Sequence, residues 1–122
     1  MANHNLVGKW GEQLARDYLI SHGYTVMEGD KRMGHSDIDI IAVKDTKICF
    51  VEVKTRTSPD VDPAEAITPQ KMRRMARAAD SYLQTYNSPL TPQFDVILIN
   101  GSAEGYTLEH IPDAFPPPLQ AL

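Results

Sequence analysis

The fold of this chain is decided by S-D-I-D-I-I-A-V-K-D-T-K-I-C-F-V-E-V-K-T-R, residues Ser36–Arg56. Two apolar runs carry charges at alternate positions on either side of the polar segment K-D-T-K, and this pattern predicts a β-hairpin. Successive side chains of a strand point to opposite faces. Asp37 and Asp39 therefore share one face of the first strand, and Glu52 and Lys54 share one face of the second.

The turn fixes how the two strands pair. A two-residue loop at Asp45–Thr46 places Asp39 opposite Glu52 and Asp37 opposite Lys54, and a four-residue loop centred on the same pair gives the same register. Two opposed carboxylates, with Cβ atoms about 5 Å apart, repel each other. Hard cations take carboxylate oxygens as ligands. The register therefore predicts a divalent-cation site between Asp39 and Glu52.

The whole chain has the size and charge of one soluble domain. Its 122 residues suit a single domain, 1–122, with a hydrophobic core. The formal net charge of −4 argues against a general nucleic-acid coat protein, because such proteins are usually basic. Any nucleic-acid site must therefore be a local basic patch.

The single cysteine, Cys49, has no partner for an internal disulfide, which suits a reducing compartment. The N-terminus has no signal-peptide pattern. No apolar run approaches the roughly 20 residues that span a bilayer. We expect a cytoplasmic protein with no membrane partner. The four histidines lack paired ligand spacing, so we expect no structural zinc site.

The first helix is predicted over Leu6–His22, where apolar residues recur at three- and four-residue intervals. Asn3 or Asn5 is expected to cap its start, and Gly23 is placed to end it. Glu12 lies at the border of the apolar stripe. It is either a solvated helix residue or a carboxylate that the helix presents to the sheet.

The second helix is predicted to begin at Thr68–Pro69, with threonine as the N-cap and proline at the first helical position, and to continue to Tyr86. Its first half concentrates positive charge, which indicates either a solvated face or a phosphate-facing patch. Arg56 at the hairpin end and Arg32 in the preceding polar loop are further candidates for nucleic-acid contacts. The basic residues of the helix are Lys71, Arg73, Arg74 and Arg77.

Short strands are predicted over Tyr24–Glu28 and Tyr106–Ile111, and a mostly apolar central strand over Phe94–Ile99, with Asp95 as its one charge. Residues 112–122, which contain three consecutive prolines, are expected to form an extended tail. The order helix, three strands, helix, one or two strands predicts an α/β fold. We expect a mixed central sheet of four to five strands flanked by helices.

The spacing of Asp39, Glu52 and Lys54, D-x12-E-x-K, resembles that of the PD-(D/E)xK nuclease superfamily, whose restriction-endonuclease-like core runs αβββαβ. Longer motifs resemble the YraN-like family of predicted endonucleases, which are Holliday-junction-resolvase-like. They are G-x-x-G-E-x-x-A-x-x-Y-L-x-x-x-G-Y from residues 8 to 24, I-D-I-I-A, F-V-E-V-K-T-R, Lys71 and F-D-V. The resemblance covers nearly the whole chain.

The resemblance implies metal binding by Asp39 and Glu52, with Mg²⁺ or Mn²⁺ as the cofactor. It implies that Lys54 acts as a base or charge stabiliser, and that Glu12 is the helix-1 glutamate that completes the catalytic set. Asp37 stands where the family usually has glutamate, which makes it an accessory carboxylate.

We therefore expect a metal-dependent nuclease, or nuclease-like protein, acting on nucleic-acid phosphodiesters. The expected substrate is DNA, and branched DNA in particular. Symmetrical cutting of two strands would require a homodimer. One alternative is a non-catalytic nucleic-acid-binding module with the same fold. Another is a protein-interaction domain, which would need Phe94–Ile99 to be an exposed edge strand. A third alternative, for the charged residues alone, is a surface salt bridge joining Glu52 and Lys54 to Asp37.

Overall fold

A computed structural model describes residues 2–27, 38–57 and 67–116, with side chains from residue 6 onward. Within these residues, five strands form one sheet in the order β1-β2-β3-β4-β5. All neighbours are antiparallel except β3 and β4, which are parallel and are joined by a crossover through α2. The predicted α/β architecture with a mixed sheet is confirmed. The elements are α1 (Ala2–Ser21), β1 (Thr25–Met27), β2 (Ile40–Lys44), β3 (Lys47–Arg56), α2 (Pro69–Tyr86), β4 (Thr91–Ser102) and β5 (Gly105–Phe115).

The hairpin formed by β2 and β3 has the predicted register. Lys44 pairs with Lys47, and Ile41 pairs with Phe50. The two-residue turn between them contains Asp45 in the left-handed conformation, with φ of 55°, as tight hairpin turns require. Continuing this register past the start of β2 brings Asp39 opposite Glu52. Arg32 and Asp37 lie outside the described residues.

The two helices pack on opposite faces of the sheet. Ala15 and Leu19 of α1 are fully buried on one face, and Met75, Ala79 and Tyr82 of α2 are buried on the other. Because strand side chains alternate between faces, the interior strands supply an apolar residue to each helix in turn. The α1 face of the sheet consists of Ile40, Ala42, Cys49, Val51, Ile97 and Ile99.

Helix α1 begins earlier than its apolar periodicity predicts. The expected caps Asn3 and Asn5 lie inside a helix that starts at Ala2, so the prediction that either one caps the start is wrong. Near the end of the helix Gly23 adopts φ of 90°, which glycine tolerates without strain. The Tyr24 N–H donates to the Leu19 carbonyl at 3.0 Å as the chain turns into β1.

Helix α2 starts and ends as its sequence predicts. The Thr68 hydroxyl accepts a hydrogen bond from the Lys71 N–H at 3.1 Å, which satisfies one of the helix's unpaired donors. Pro69 occupies the first helical turn, and Asn87 ends the helix in the left-handed conformation. This N-cap fixes the position of Lys71 in the first turn of the helix.

Strand β4 lies in the interior of the sheet, between β3 and β5. Its residues Phe94–Ile99 are all buried, as predicted for a central strand. The alternative of a protein-interaction domain required this strand to be an exposed edge, and that requirement is not met.

Strand β5 extends four residues past its predicted end at Ile111. The expected tail 112–122 therefore starts too early, because residues up to Phe115 belong to the strand. Pro112 is tolerated there because β5 is an edge strand and one side of its backbone makes no ladder bonds. Phe115 is buried and its ring stacks on that of Phe94, with centroids 4.8 Å apart.

Helix α1 comes unusually close to β3 at Gly11. A Cβ atom on this residue would lie 1.9 Å from the Thr55 hydroxyl oxygen and 3.0 Å from the Thr55 Cβ. Only glycine allows this approach without movement of the helix. The contact fixes the N-terminal half of α1 against the end of β3.

Gly11→Ala is expected to lower the free energy of unfolding by about 1–3 kcal/mol, the usual cost of overpacking a tight contact. The measurement is urea denaturation. Thr55→Ala removes the hydroxyl and should recover most of the loss in the double variant. Gly8→Ala is the matched control, because a Cβ atom at Gly8 meets nothing within 4 Å. Equal effects at Gly8 and Gly11 would contradict the proposed contact.

Candidate active site

A pair of carboxylates lies where β2 begins. Asp39 comes directly before the strand, and its Oδ2 accepts a hydrogen bond from the Val53 N–H at 2.8 Å. Glu52, its predicted partner on β3, is only 3% exposed. The two side chains share a hydrogen bond. The predicted Asp39–Glu52 pair is therefore formed, and the backbone of β3 holds Asp39 in place.

The pair is electrostatically costly when it is fully ionised. Burial and the neighbouring charge of Asp39 raise the pKa of Glu52 to about 7. Burial also raises the pKa of Asp39, and this effect exceeds the opposing effect of its bond from the Val53 N–H. Two carboxyls that are both hard to ionise characterise a site where one proton is shared or a cation is bound.

Lys71 forms an ion pair with Glu52 from the first turn of α2. The Lys71 side chain keeps 26% of its surface exposed, whereas that of Glu52 keeps 4%. The sequence predicts Lys71 as a phosphate contact, and the structure places it beside the buried carboxylate of Glu52 instead. The N-cap at Thr68 indicated its place in the first helical turn. No local signal showed that the crossover brings this turn over β3.

Lys54 and Arg56 follow Glu52 along β3, and Glu12 approaches from α1. Burial, together with the positive charges of Lys71 and Arg56, lowers the pKa of Lys54. Glu12 forms an ion pair with Arg16 at 3.5 Å, and its charge acts on Asp39 to raise that carboxyl's pKa. Three elements thus contribute charged groups to one end of the sheet.

The donor set suits a hard cation that keeps part of its water shell. Within residues 2–27, 38–57 and 67–116, no three His, Cys, Asp or Glu side chains lie close enough together to hold an ion unaided. Mg²⁺ is commonly bound by one or two carboxylates, with water and substrate phosphate completing its shell. Asp39 and Glu52 fit that arrangement, and their pKa values stay raised by burial although Lys71 forms an ion pair with Glu52.

The remaining predicted basic residues lie on the exposed surface of α2. Arg73, Arg74 and Arg77 are all exposed, while Met75 between them faces the core. Their placement fits either interpretation made from the sequence, a solvated face or a phosphate-facing patch.

A second polar cluster lies on the α1 face. Asp95 is fully buried on β4 and accepts hydrogen bonds from His110 Nε2 at 2.8 Å and from Gln93 Nε2 at 3.0 Å. The Asp113 N–H also donates to it at 3.1 Å. His110 Nδ1 contacts the Tyr18 hydroxyl at 3.1 Å. In the sequence, Asp95 is recognisable only as the one charge of an apolar strand, and its partners are not.

The bonds around Asp95 keep it ionised. Burial alone raises the pKa of its carboxyl, but hydrogen bonds from His110, Gln93 and the Asp113 N–H outweigh that effect and hold the pKa below its usual range. The signal available in the sequence was the lone charge in an apolar strand, because a buried charge must be paired.

In the part of the chain that the structure describes, two helices, an open five-stranded mixed sheet and a buried carboxylate pair define an α/β protein consistent with a restriction-endonuclease-like core. The chain belongs to the family described as Uncharacterised protein family UPF0102, the YraN family that its motifs resemble, whose model matches residues 11–99. Neither helix in the described part of the chain is long and apolar enough to cross a membrane.

Relatives in several bacteria match almost the full length of the chain. A UPF0102 protein of Bacteroides fragilis is 44% identical over 98% of this chain and 99% of its own length. One from Phocaeicola vulgatus is 38% identical with the same coverage. One from Chlorobium phaeobacteroides is 42% identical over 92% of this chain and 94% of its own length. These names give the family and state no activity.

Proposed function

We propose that this protein is a metal-dependent nuclease that hydrolyses phosphodiester bonds in nucleic acid, with DNA as the preferred class. The observation that carries the proposal is the buried Asp39–Glu52 pair, which burial and mutual repulsion make costly without a cation. A fold selected for stability alone would avoid two opposed carboxylates. The same end of the sheet also carries lysines that suit a negatively charged substrate.

Each charged residue has a distinct role in this proposal. Asp39 and Glu52 hold Mg²⁺ or Mn²⁺, and the Val53 N–H orients Asp39 through its hydrogen bond. When bound, the metal ion polarises the phosphodiester and lowers the pKa of a coordinated water. Lys54, on the same strand face as Glu52, orients the attacking water or neutralises the phosphate. Lys71 keeps Glu52 in position through their ion pair.

Outer residues complete the site. Glu12 acts on Asp39 electrostatically from α1 and is the proposed fourth catalytic residue. Arg56 and the exposed arginines of α2 contact the nucleic-acid backbone, as does Arg32. Asp37 is the accessory carboxylate. The arginines on α2 are Arg73, Arg74 and Arg77.

Asp39→Asn is expected to reduce cleavage of DNA at least 100-fold in the presence of Mg²⁺ or Mn²⁺, because the variant loses one of two metal ligands while keeping an oxygen for the Val53 bond. The measurement is cleavage of labelled single-stranded, nicked and branched substrates. Asp80→Asn, on α2, is the matched control. Cleavage that persists unchanged in Asp39→Asn would contradict the proposed site.

The same assay separates the nuclease from the non-catalytic alternative. Binding that weakens steeply with salt, with no cleavage of any substrate, would identify a nucleic-acid-binding module. Symmetrical cleavage of a branched junction would additionally require a homodimer, which sedimentation of the protein with its substrate would detect.

A further inference from the structure

A pair of aromatic rings, of which Trp10 is half-buried and Tyr106 is exposed, lies at the end of the sheet where α1 begins. The rings of Trp10 and Tyr106 meet edge to face, with centroids 5.5 Å apart and an interplanar angle of 90°. Tyr106 is 47% exposed, and Leu6, one helical turn before Trp10, is 60% exposed. Grouped apolar side chains on a surface mark interaction sites more strongly than scattered ones do.

Both rings are carried by backbone that cannot easily move. Gly11, beside Trp10, holds α1 directly against Thr55 of β3. Gly101, which pairs with Tyr106, has φ of 125°, and a Cβ atom there would lie 2.2 Å from the Gly105 carbonyl oxygen. The tight β4–β5 turn therefore fixes the start of β5. The two rings form a preorganised surface, which costs little ordering entropy when a ligand binds.

The aromatic pair lies at the same end of the sheet as the charged residues. Arg56 pairs with Asn100, and Asn100 pairs with Thr107, the residue after Tyr106. Strand spacing and residue rise place Tyr106 on the order of 20 Å from Glu52. The carboxylates face α2 and the rings face α1, so a chain joining them would cross the end of the sheet near Arg56.

We propose that Trp10 and Tyr106 form a stacking platform for unpaired bases of the nucleic-acid strand that is cleaved at Asp39 and Glu52. This inference rests on the proposed function and adds its substrate class, a single-stranded or branched nucleic acid with an unpaired segment. Aromatic side chains stack on every base, so such a platform does not depend on sequence. Bases inside a duplex already stack on each other and cannot reach it.

Charge and size favour a nucleic-acid strand over a protein partner. Lys9, exposed beside Trp10, and Arg56, at the same end of the sheet, supply positive charge for a phosphate backbone. A stable protein interface buries about 800 Å² on each partner. Among the described residues this patch comprises only Leu6, Trp10 and Tyr106. Rings combined with cationic side chains are the usual composition of single-strand sites.

Trp10 is the only tryptophan in the chain, so its fluorescence reports directly on stacking. The full-length protein is titrated in metal-free buffer with a thymidine 20-mer, a blunt duplex and a duplex carrying a single-stranded overhang. We expect quenching of Trp10 emission by the 20-mer and the overhang substrate, and no quenching by the blunt duplex. The same titrations give the three affinities.

Variants test the second ring. Tyr106→Ala should weaken binding of the 20-mer about 5- to 100-fold, the range expected for one stacked base, and leave blunt-duplex affinity within twofold. Tyr106→Phe should retain single-strand affinity because it keeps the ring. Tyr86→Ala is the matched control, because Tyr86 is 50% exposed but lies at the end of α2. Thermal melting verifies that each variant is folded.

Several outcomes would overturn the platform while leaving the nuclease proposal intact. They are equal quenching by blunt duplex, binding of the 20-mer without quenching, and unchanged single-strand affinity in Tyr106→Ala. If Trp10 emission instead changes with protein concentration, and Tyr106→Ala abolishes a dimer, the patch binds a second copy of the chain. Failure of every polynucleotide to bind at low salt would reject the platform and the proposed function together.

Discussion

Glu52→Gln is expected to raise the free energy of unfolding of the metal-free protein by about 3 kcal/mol at pH 8 and to reduce metal-dependent cleavage at least 100-fold. The stability figure follows from the rise in the pKa of Glu52 from 4.5 to about 7, at about 1.4 kcal/mol for each pKa unit. Glutamine keeps the shape of the side chain and removes the charge that burial and Asp39 oppose. One substitution should therefore stabilise the fold and disable the site.

The stability gain should depend on pH in a defined direction. Because the folded pKa of Glu52 is raised, the folded protein binds more protons than the unfolded chain between pH 4.5 and about 7. The stability of the native sequence therefore falls as pH rises through that window. The gain from Glu52→Gln should be absent below pH 4.5 and complete above pH 7. Urea denaturation at pH 4.5, 6 and 8 measures this dependence.

The ion pair between Lys71 and Glu52 opposes the expected gain in stability, so the sign of the change in Glu52→Gln is itself a test. Removing one partner of a buried ion pair is normally destabilising, because the other charge is left unpaired. Here the Lys71 side chain is 26% exposed, so its ammonium group can turn to water. Glu109→Gln, an exposed carboxylate on β5, is the control. If Glu52→Gln is less stable than the native protein at pH 8, attraction to Lys71 outweighs repulsion from Asp39.

Mg²⁺ should narrow the difference in stability between the native protein and Glu52→Gln. A ligand that binds only the folded state raises the free energy of unfolding by RT ln(1 + L/Kd), where L is the free ligand concentration. Millimolar Mg²⁺ should raise the melting temperature of the native protein at pH 8 and leave that of Glu52→Gln unchanged. An equal shift in both proteins would place the cation elsewhere.

Local sequence was enough to predict the carboxylate pair. The turn at Asp45 and the alternation of the two flanking strands fix the register, so Asp39 and Glu52 meet without reference to the rest of the chain. Lys71 could not be placed in the same way. Its contact with Glu52 depends on the path of a crossover of more than ten residues, which spacing along the sequence does not determine.

The predicted ends of α1 and β5 are wrong for a different reason. Pro112 predicts the start of the tail, because proline cannot donate a ladder hydrogen bond. That rule applies to interior strands, and β5 is an edge strand that continues to Phe115. Likewise, Asn3 and Asn5 suit a helix cap, but the helix begins before both of them. Residue preferences predicted the elements, and tertiary context decided their limits.

Asp95→Ala is expected to lower the free energy of unfolding by about 3 kcal/mol or more, because it leaves three donors around a buried carboxylate without their acceptor and each such loss costs about 1–3 kcal/mol. Asp95 is fully buried, and its loss leaves donors from His110, Gln93 and the Asp113 N–H without their acceptor. Urea denaturation at pH 7 measures the loss. Glu109→Ala, an exposed carboxylate beside His110 in the sequence, should cost less than about 0.5 kcal/mol.

The cost of Asp95→Ala should shrink in acid. The folded pKa of Asp95 lies below its usual range, so its contribution is complete above pH 4 and is lost as pH falls through the folded value. This dependence runs opposite to that of Glu52, whose charge weakens the fold. A double-mutant cycle with His110→Ala isolates the pair, and a coupling below about 0.5 kcal/mol would contradict its importance.

Asp95 belongs to the scaffold on the α1 face. Asp95→Asn, measured where it is fully folded, should therefore retain the cleavage that Glu52→Gln abolishes.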